Sequence, residues 1–281
     1  MAVDQLNLQK YKSEPGISSQ ERDTFVPAPL KGNQAHQSNS SLTEASQLLE
    51  EGIRLHKQQQ FNQARISFQK ARLIFAKLEN KKGVARATCC MSLALYSLRK
   101  YGEAIKLAKT SLKLTQELGD PYTEGRIFDT IGNCYRHLGE YRQALKYHHQ
   151  SFDICEKNQD PPGQMAALNN LGLAYKALGE YQQTFEYQQK SLIIAQHLGE
   201  TKTVSQILKN LGNTCYALEN YALAIKYYEQ LLITIEKLGN YRLESQIWQN
   251  LVSACNHLGI HQKVMKYTQK HLATKTPSPP G

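Results

Sequence analysis

The phrase LGEYRQALKYHHQSF, from Leu138 to Phe152, returns forty residues later as LGEYQQTFEYQQKSL, from Leu178 to Leu192. A fixed interval restricts the fold more than any single motif, because every copy has to solve the same packing problem. Stepping by forty from Phe61 reaches Tyr101, Tyr141, Tyr181, Tyr221 and His261. The same step from Ala64 gives Ala104, Ala144, Thr184, Ala224 and Val264, and from Gly52 it gives Ser92, Gly132, Gly172, Gly212 and Val252. Aromatic, small and very small residues each keep their own phase, with no insertion. The chain therefore reads as six units near 41–80, 81–120, 121–160, 161–200, 201–240 and 241–273.

Within a unit the apolar period is helical. In the second unit Leu95, Leu98, Ile105, Ala108, Leu112 and Leu118 fall at helical steps on either side of a break at Arg99 and Lys100. Glycines mark the stops: Gly139, Gly179 and Gly259 after first helices, Gly119, Gly199 and Gly239 after second helices. Asp120-Pro121 and Asp160-Pro161 supply an N-cap followed by a proline in the first helical turn. SLTE at 41–44 reads as a capping box opening the first helix. The pattern predicts first helices near 43–58, 83–98, 122–138, 162–178, 202–218 and 242–258. Second helices are predicted near 61–79, 101–118, 141–158, 181–198, 221–238 and 261–273. The glycines at 132, 172 and 212 give the two helices of a hairpin a close approach, with Tyr101, Tyr141 and Tyr181 expected to fill the wedges between them. One hairpin cannot bury its apolar face alone, so neighbours must stack.

The phrases IGNCYRHLGEYRQAL, LGLAYKALGEYQQTF and LGNTCYALENYALAI resemble tetratricopeptide repeats. The resemblance covers about 230 of the 281 residues and implies an all-α, right-handed superhelical solenoid of six helix–turn–helix units. The common period in that family is ~34 residues. Forty is similar to the longer variant of spindle-orientation adaptors, kinesin light chains and bacterial peptide-sensing regulators. The proline that usually closes the second helix is missing.

The flanks differ in composition. Residues 1–40 are rich in Ser, Gln, Pro, Asn and Gly and read as a disordered arm, whose one apolar patch is FVPAPL at 25–30. Residues 274–281 read as a disordered tail. The start has no apolar core behind a basic patch, so no secretory signal is read and a cytoplasmic address is expected. No apolar run reaches membrane-spanning length. Cys89, Cys90, Cys134, Cys155, Cys215 and Cys255 all fall in apolar-periodic helical stretches, with no C-x-x-C pair, and read as reduced core residues.

Catalytic motifs are missing: there is no glycine-rich phosphate loop, no H-E-x-x-H and no G-x-S-x-G. Neither an enzyme nor a cofactor is expected, and His148, His149, His257 and His261 read as packing or solvated histidines rather than metal ligands. Information concentrates instead on the first helices, which line the concave face in the family that the chain resembles. The groove-facing registers there hold Arg126, Asn133, Arg136, Asn169, Asn170, Lys176, Lys209, Asn210, Asn213, Tyr216 and Asn250. An asparagine amide offers donors and an acceptor together, so a ladder of them suits an extended peptide. Each bond is worth about 1 kcal/mol net, so several rungs are needed. The flanking cations favour an acidic segment or a terminal carboxylate.

These residues predict a non-catalytic adaptor that holds a protein or peptide partner. A peptide-sensing regulator is the alternative. The net charge of +10 raises a third reading, a nucleic-acid-binding solenoid. Stacking aromatics are not evident on the groove registers, so that reading ranks last. Lys209, Asn213 and Asn250 also match part of a chaperone carboxylate clamp, but the unit completing it would lie beyond residue 281, so no such clamp is expected.

Overall fold

A computed structural model describes residues 33–237 and 244–273. Of the arm predicted over 1–40, residues 1–32 lie outside them, as do the tail over 274–281 and Gly239; residues 33–40 are helical and belong to the first helix. Twelve helices are present among the described residues: α1 (Asn33–Lys57), α2 (Phe61–Lys77), α3 (Lys81–Ser97), α4 (Tyr101–Leu118), α5 (Pro121–His137), α6 (Tyr141–Lys157), α7 (Pro161–Ala177), α8 (Tyr181–His197), α9 (Thr201–Ala217), α10 (Tyr221–Lys237), α11 (Glu244–His257) and α12 (His261–Ala273). Consecutive helices pack against each other, so the described part of Leu42–Gly281 is an all-α solenoid of six hairpins.

The turns explain the register. A left-handed residue occurs at Gln59, Glu79, Arg99, Gly119, Gly139, Gln159, Gly179, Gly199, Glu219 and Gly259. Apart from the undescribed 239 position, that is one every twenty residues, so both turns of a unit share one geometry. In each, the next amide reaches back five residues: Gln60 N to Leu55 O at 2.9 Å, Lys100 N to Leu95 O at 2.9 Å, Glu180 N to Tyr175 O at 3.0 Å. This is the Schellman arrangement, which satisfies carbonyls that the helix end leaves open. Five of the ten positions are not glycine, and each carries the strain of an L side chain in that conformation.

Two capping expectations need correction. SLTE lies inside α1, which already begins at Asn33, so it opens no helix. Asp120 accepts from Thr123 N at 3.2 Å as expected, whereas the Asp160 side chain makes no cap bond although Pro161 does start α7.

The glycine register works as a notch, filled differently from expectation. A Cβ on Gly52, Gly132, Gly172 or Gly212 would lie 2.4–2.7 Å from the side chain sixteen residues on: Phe68, His148, Gln188 or Tyr228. These large groups from the second helix enter the notch, not Tyr101, Tyr141 and Tyr181, which start their helices half-buried. Where the register holds Ser92, the facing residue is Ala108, so the pair conserves volume. Beneath it, Ser111, Ser151 and Ser191 are buried and donate to the carbonyls of Ala85, Gly125 and Met165 at 2.8, 3.0 and 2.8 Å. All six cysteines are buried and free.

Candidate functional site

First helices crowd together: α3 touches α5 and α5 touches α7, as the inner wall of a curved stack requires. Side-chain bonds also run from first helix to first helix along this wall. Asn170 Nδ2 donates to Asp129 Oδ1 at 2.6 Å, His56 Nε2 meets Ser97 Oγ at 2.8 Å, and Tyr216 OH meets Ser253 Oγ at 2.8 Å. Of the residues singled out from the sequence, Asn170 and Tyr216 take part in these contacts.

Asp129 is the hub of its middle. Besides Asn170, its carboxylate accepts from His148 Nδ1 at 3.1 Å and Asn133 Nδ2 at 3.2 Å. Arg136 Nη2 then donates to Asn133 Oδ1 at 3.4 Å and to His137 Nε2 at 3.2 Å. A carboxylate accepts only, so Asp129 turns the amide nitrogens of Asn133 and Asn170 toward itself. Asn170 then keeps its carbonyl for other donors. Further along, Asn213 accepts from Tyr228 OH at 2.8 Å and Asn250 accepts from Gln246 Nε2 at 3.3 Å, which leaves their amide nitrogens as donors.

The eleven sequence-derived positions thus differ in availability. Asn133, Asn170, Asn213 and Asn250 are half engaged within the chain. Tyr216 is bonded to both Ser253 and His257 and packs on Tyr221, so it is part of the wall. Asn210 is buried, at 7% exposure, and not an open rung; its Nδ2 has no partner among the described residues. Asn169 Oδ1 and Arg136 Nε are likewise buried without a partner. Lys176 and Lys209 are half-buried. Burial, and then the charge of Lys209, lower the pKa of Lys176. Arg126 is exposed on the rim of a cavity of about 280 Å³ that also involves Cys89, Cys90, Asp129, Cys155 and Gly163. A second cavity of about 360 Å³ brings together Asn213, Tyr216, Tyr228, Asn250 and Ser253.

The residues missed from sequence are Asp129, His148, Gln188 and Tyr228. Three come from second helices and fill the glycine notches of the first helices. Gln188 is fully buried, its Oε1 accepts from Thr214 Oγ1 at 3.4 Å, and its Nε2 has no partner among the described residues. The readable signal was a large polar residue sixteen positions after a notch glycine.

Among the described residues no group of three or more His, Cys, Asp or Glu converges to hold a metal. No helix among them is long and apolar enough to cross a membrane. The thiols have no activated character: burial pushes Cys89, Cys134 and Cys215 up to about 12.

The tetratricopeptide repeat profile matches residues 83–157 and 163–232, more than half of the chain. The chain belongs to the tetratricopeptide repeat family. No curated sequence matches it. Solved structures share the fold at low identity. BtubC (BKLC) from P. vanneervenii superposes with TM-score 0.61 at 20% identity, covering 87% of this chain and 95% of that one. A signal-transduction ATPase with a tetratricopeptide repeat sensor, from Pyrococcus horikoshii, gives TM-score 0.70 at 17% identity, over 83% of this chain and 36% of that one. A Rap protein complexed with competence and sporulation factor gives TM-score 0.62 at 13% identity, over 86% and 78%. The repeats of this family member thus share a common architecture with these proteins.

Proposed function

We propose that the protein is a non-catalytic interaction adaptor whose inner groove holds an extended, acidic segment of a partner protein. One observation carries this reading. The inner registers of units four to six hold Asn169, Asn170, Lys176, Lys209, Asn210, Asn213, Gln249 and Asn250 and no carboxylate. Asn170 keeps a carbonyl, and Asn213 and Asn250 keep amide nitrogens, for the backbone of such a segment. Arg126, Arg136, Lys176 and Lys209 add attraction for an acidic segment, while Asn133, Asn213, Tyr216 and Asn250 shape the wall around it.

The test is capture of partners from the native cell, with identification by mass spectrometry, using the protein and a variant with Asn170→Ala, Asn210→Ala and Asn250→Ala. Loss of the same partner from a variant that melts normally supports the groove. An unchanged catch moves binding to the second helices or elsewhere and overturns the reading.

A further inference from the structure

Five seams join the six units at the ends of the first helices, and each is built from equivalent positions. Between units two and three, Tyr101 and His137 stack at 5.0 Å with an interplanar angle of 4°, and Tyr96 OH meets His137 Nε2 at 3.1 Å. Between units five and six the same trio recurs: Tyr221 and His257 stack at 4.3 Å and 3°, and Tyr216 OH meets His257 Nε2 at 3.0 Å. Between units one and two, His56 packs on Phe61 at 5.1 Å and bonds Ser97 at 2.8 Å. These three seams are closed by the chain itself.

The two middle seams are not. Stepping by forty, the positions of Tyr96, Tyr101 and His137 become Arg136, Tyr141 and Ala177, then Lys176, Tyr181 and Ala217. The tyrosine platform persists. The histidine that would cover it is alanine, and both alanines are exposed. A cation replaces the other tyrosine. Arg136 Nη2 turns back to Asn133 and His137, while its Nε is buried without a partner. Among the described residues neither Arg136 nor Lys176 carries an ion pair.

The geometry points to these two open seams as the reading positions of the groove: a bound segment lays one ring on Tyr141 and one on Tyr181, and its carboxylates meet Arg136 and Lys176. This rests on the groove reading above and adds the ligand's chemistry and spacing. The closed seams show what fits, since His137 and His257 occupy the equivalent place at stacking distance. Offset-stacked and edge-to-face rings at 4.5–7 Å contribute about 0.5–1.5 kcal/mol beyond their burial. A guanidinium or ammonium beside them selects acidic neighbours. Helices α5 and α7, which carry Arg136 and Lys176, touch, and packed helices lie about 8–10 Å apart, which sets the order of the distance between seams. A polyproline II segment repeats every three residues with a rise of about 3.1 Å, so rings at i and i+3 share a face about 9 Å apart. In a β-strand the same two residues would face opposite ways.

The test uses fluorescein-labelled peptides of Glu and Pro with two tyrosines spaced two, three or four residues apart, and a spacing-three control with leucines. Anisotropy should show the tyrosine peptide of spacing three binding at least threefold more tightly than the others. Ala177→His with Ala217→His closes both seams from within and should weaken it at least tenfold while leaving the melting temperature unchanged or raised. Tyr141→Leu with Tyr181→Leu serves as a second variant should the first not fold. Equal binding of tyrosine and leucine peptides, indifference to spacing, or no binding by any of them overturns the assignment. Should partner capture depend on Asn170, Asn210 and Asn250 but ignore the seam variants, the groove stands and the seams fall.

Discussion

Replacing Gly172 with serine tests whether the notches hold the hairpins together. A Cβ there would sit 2.7 Å from Gln188 Cγ and 3.4 Å from the Thr184 carbonyl, so the glutamine must move. Overpacking of this kind costs about 1–3 kcal/mol. Serine regains roughly 0.5 kcal/mol of helix propensity over glycine. The net loss is about 0.5–2.5 kcal/mol, a fall in Tm of about 1–10 °C at the usual 2–4 °C per kcal/mol for a domain of this size. Gln188→Ala alone leaves a void and costs a similar amount. The double variant copies the natural Ser92 and Ala108 pair of unit two. Its Tm should therefore recover, giving a coupling of at least about 1 kcal/mol in the double-mutant cycle. The assay is thermal melting by circular dichroism at 222 nm for all four proteins. Additive losses, with coupling inside about 0.5 kcal/mol, would refute the notch argument.

Arg99 holds φ +59° at a turn where five sister positions carry glycine. Arg99→Gly should raise Tm by about 2–4 °C, corresponding to about 1 kcal/mol of relieved strain; no change in a melt would count against it. Burial lowers the pKa of His56, His137 and His149, with Arg136 also acting on His137. Because the folded state resists their protonation, this stability is present above the unfolded value near 6.5 and is lost as pH falls below it. Tm measured from pH 7.5 to 5 should drop, and His137→Gln should reduce the slope. Native thiols should react slowly with Ellman's reagent at pH 8, with Cys89, Cys134 and Cys215 held up to about 12, and all six should react in guanidinium. Rapid native labelling of several would contradict the burial.

The arithmetic of forty located most helix boundaries to within a residue or two, because turn residues and notch glycines are local constraints that the chain cannot hide. The capping box at 41–44 misled because a local signature cannot see that helix α1 continues through it. Which residues share a helix face was also legible, since period alone decides it. What the registers could not show was occupancy. Asn210 is closed off by neighbours from other helices, and Asn133 and Asn170 are tied down by an aspartate on the same wall. His148, Gln188 and Tyr228 fill the notches from the second helices, a direction that one helix's pattern does not encode.

The central claim is that partners lie against the first helices. A photo-crosslinking residue placed at Leu173, on the inner register, and separately at Ile193, which is 42% exposed on α8, tests it most directly. In the native cell the account predicts a partner crosslinked through position 173 and none through 193. Crosslinking through 193 alone, or equally through both, would contradict it.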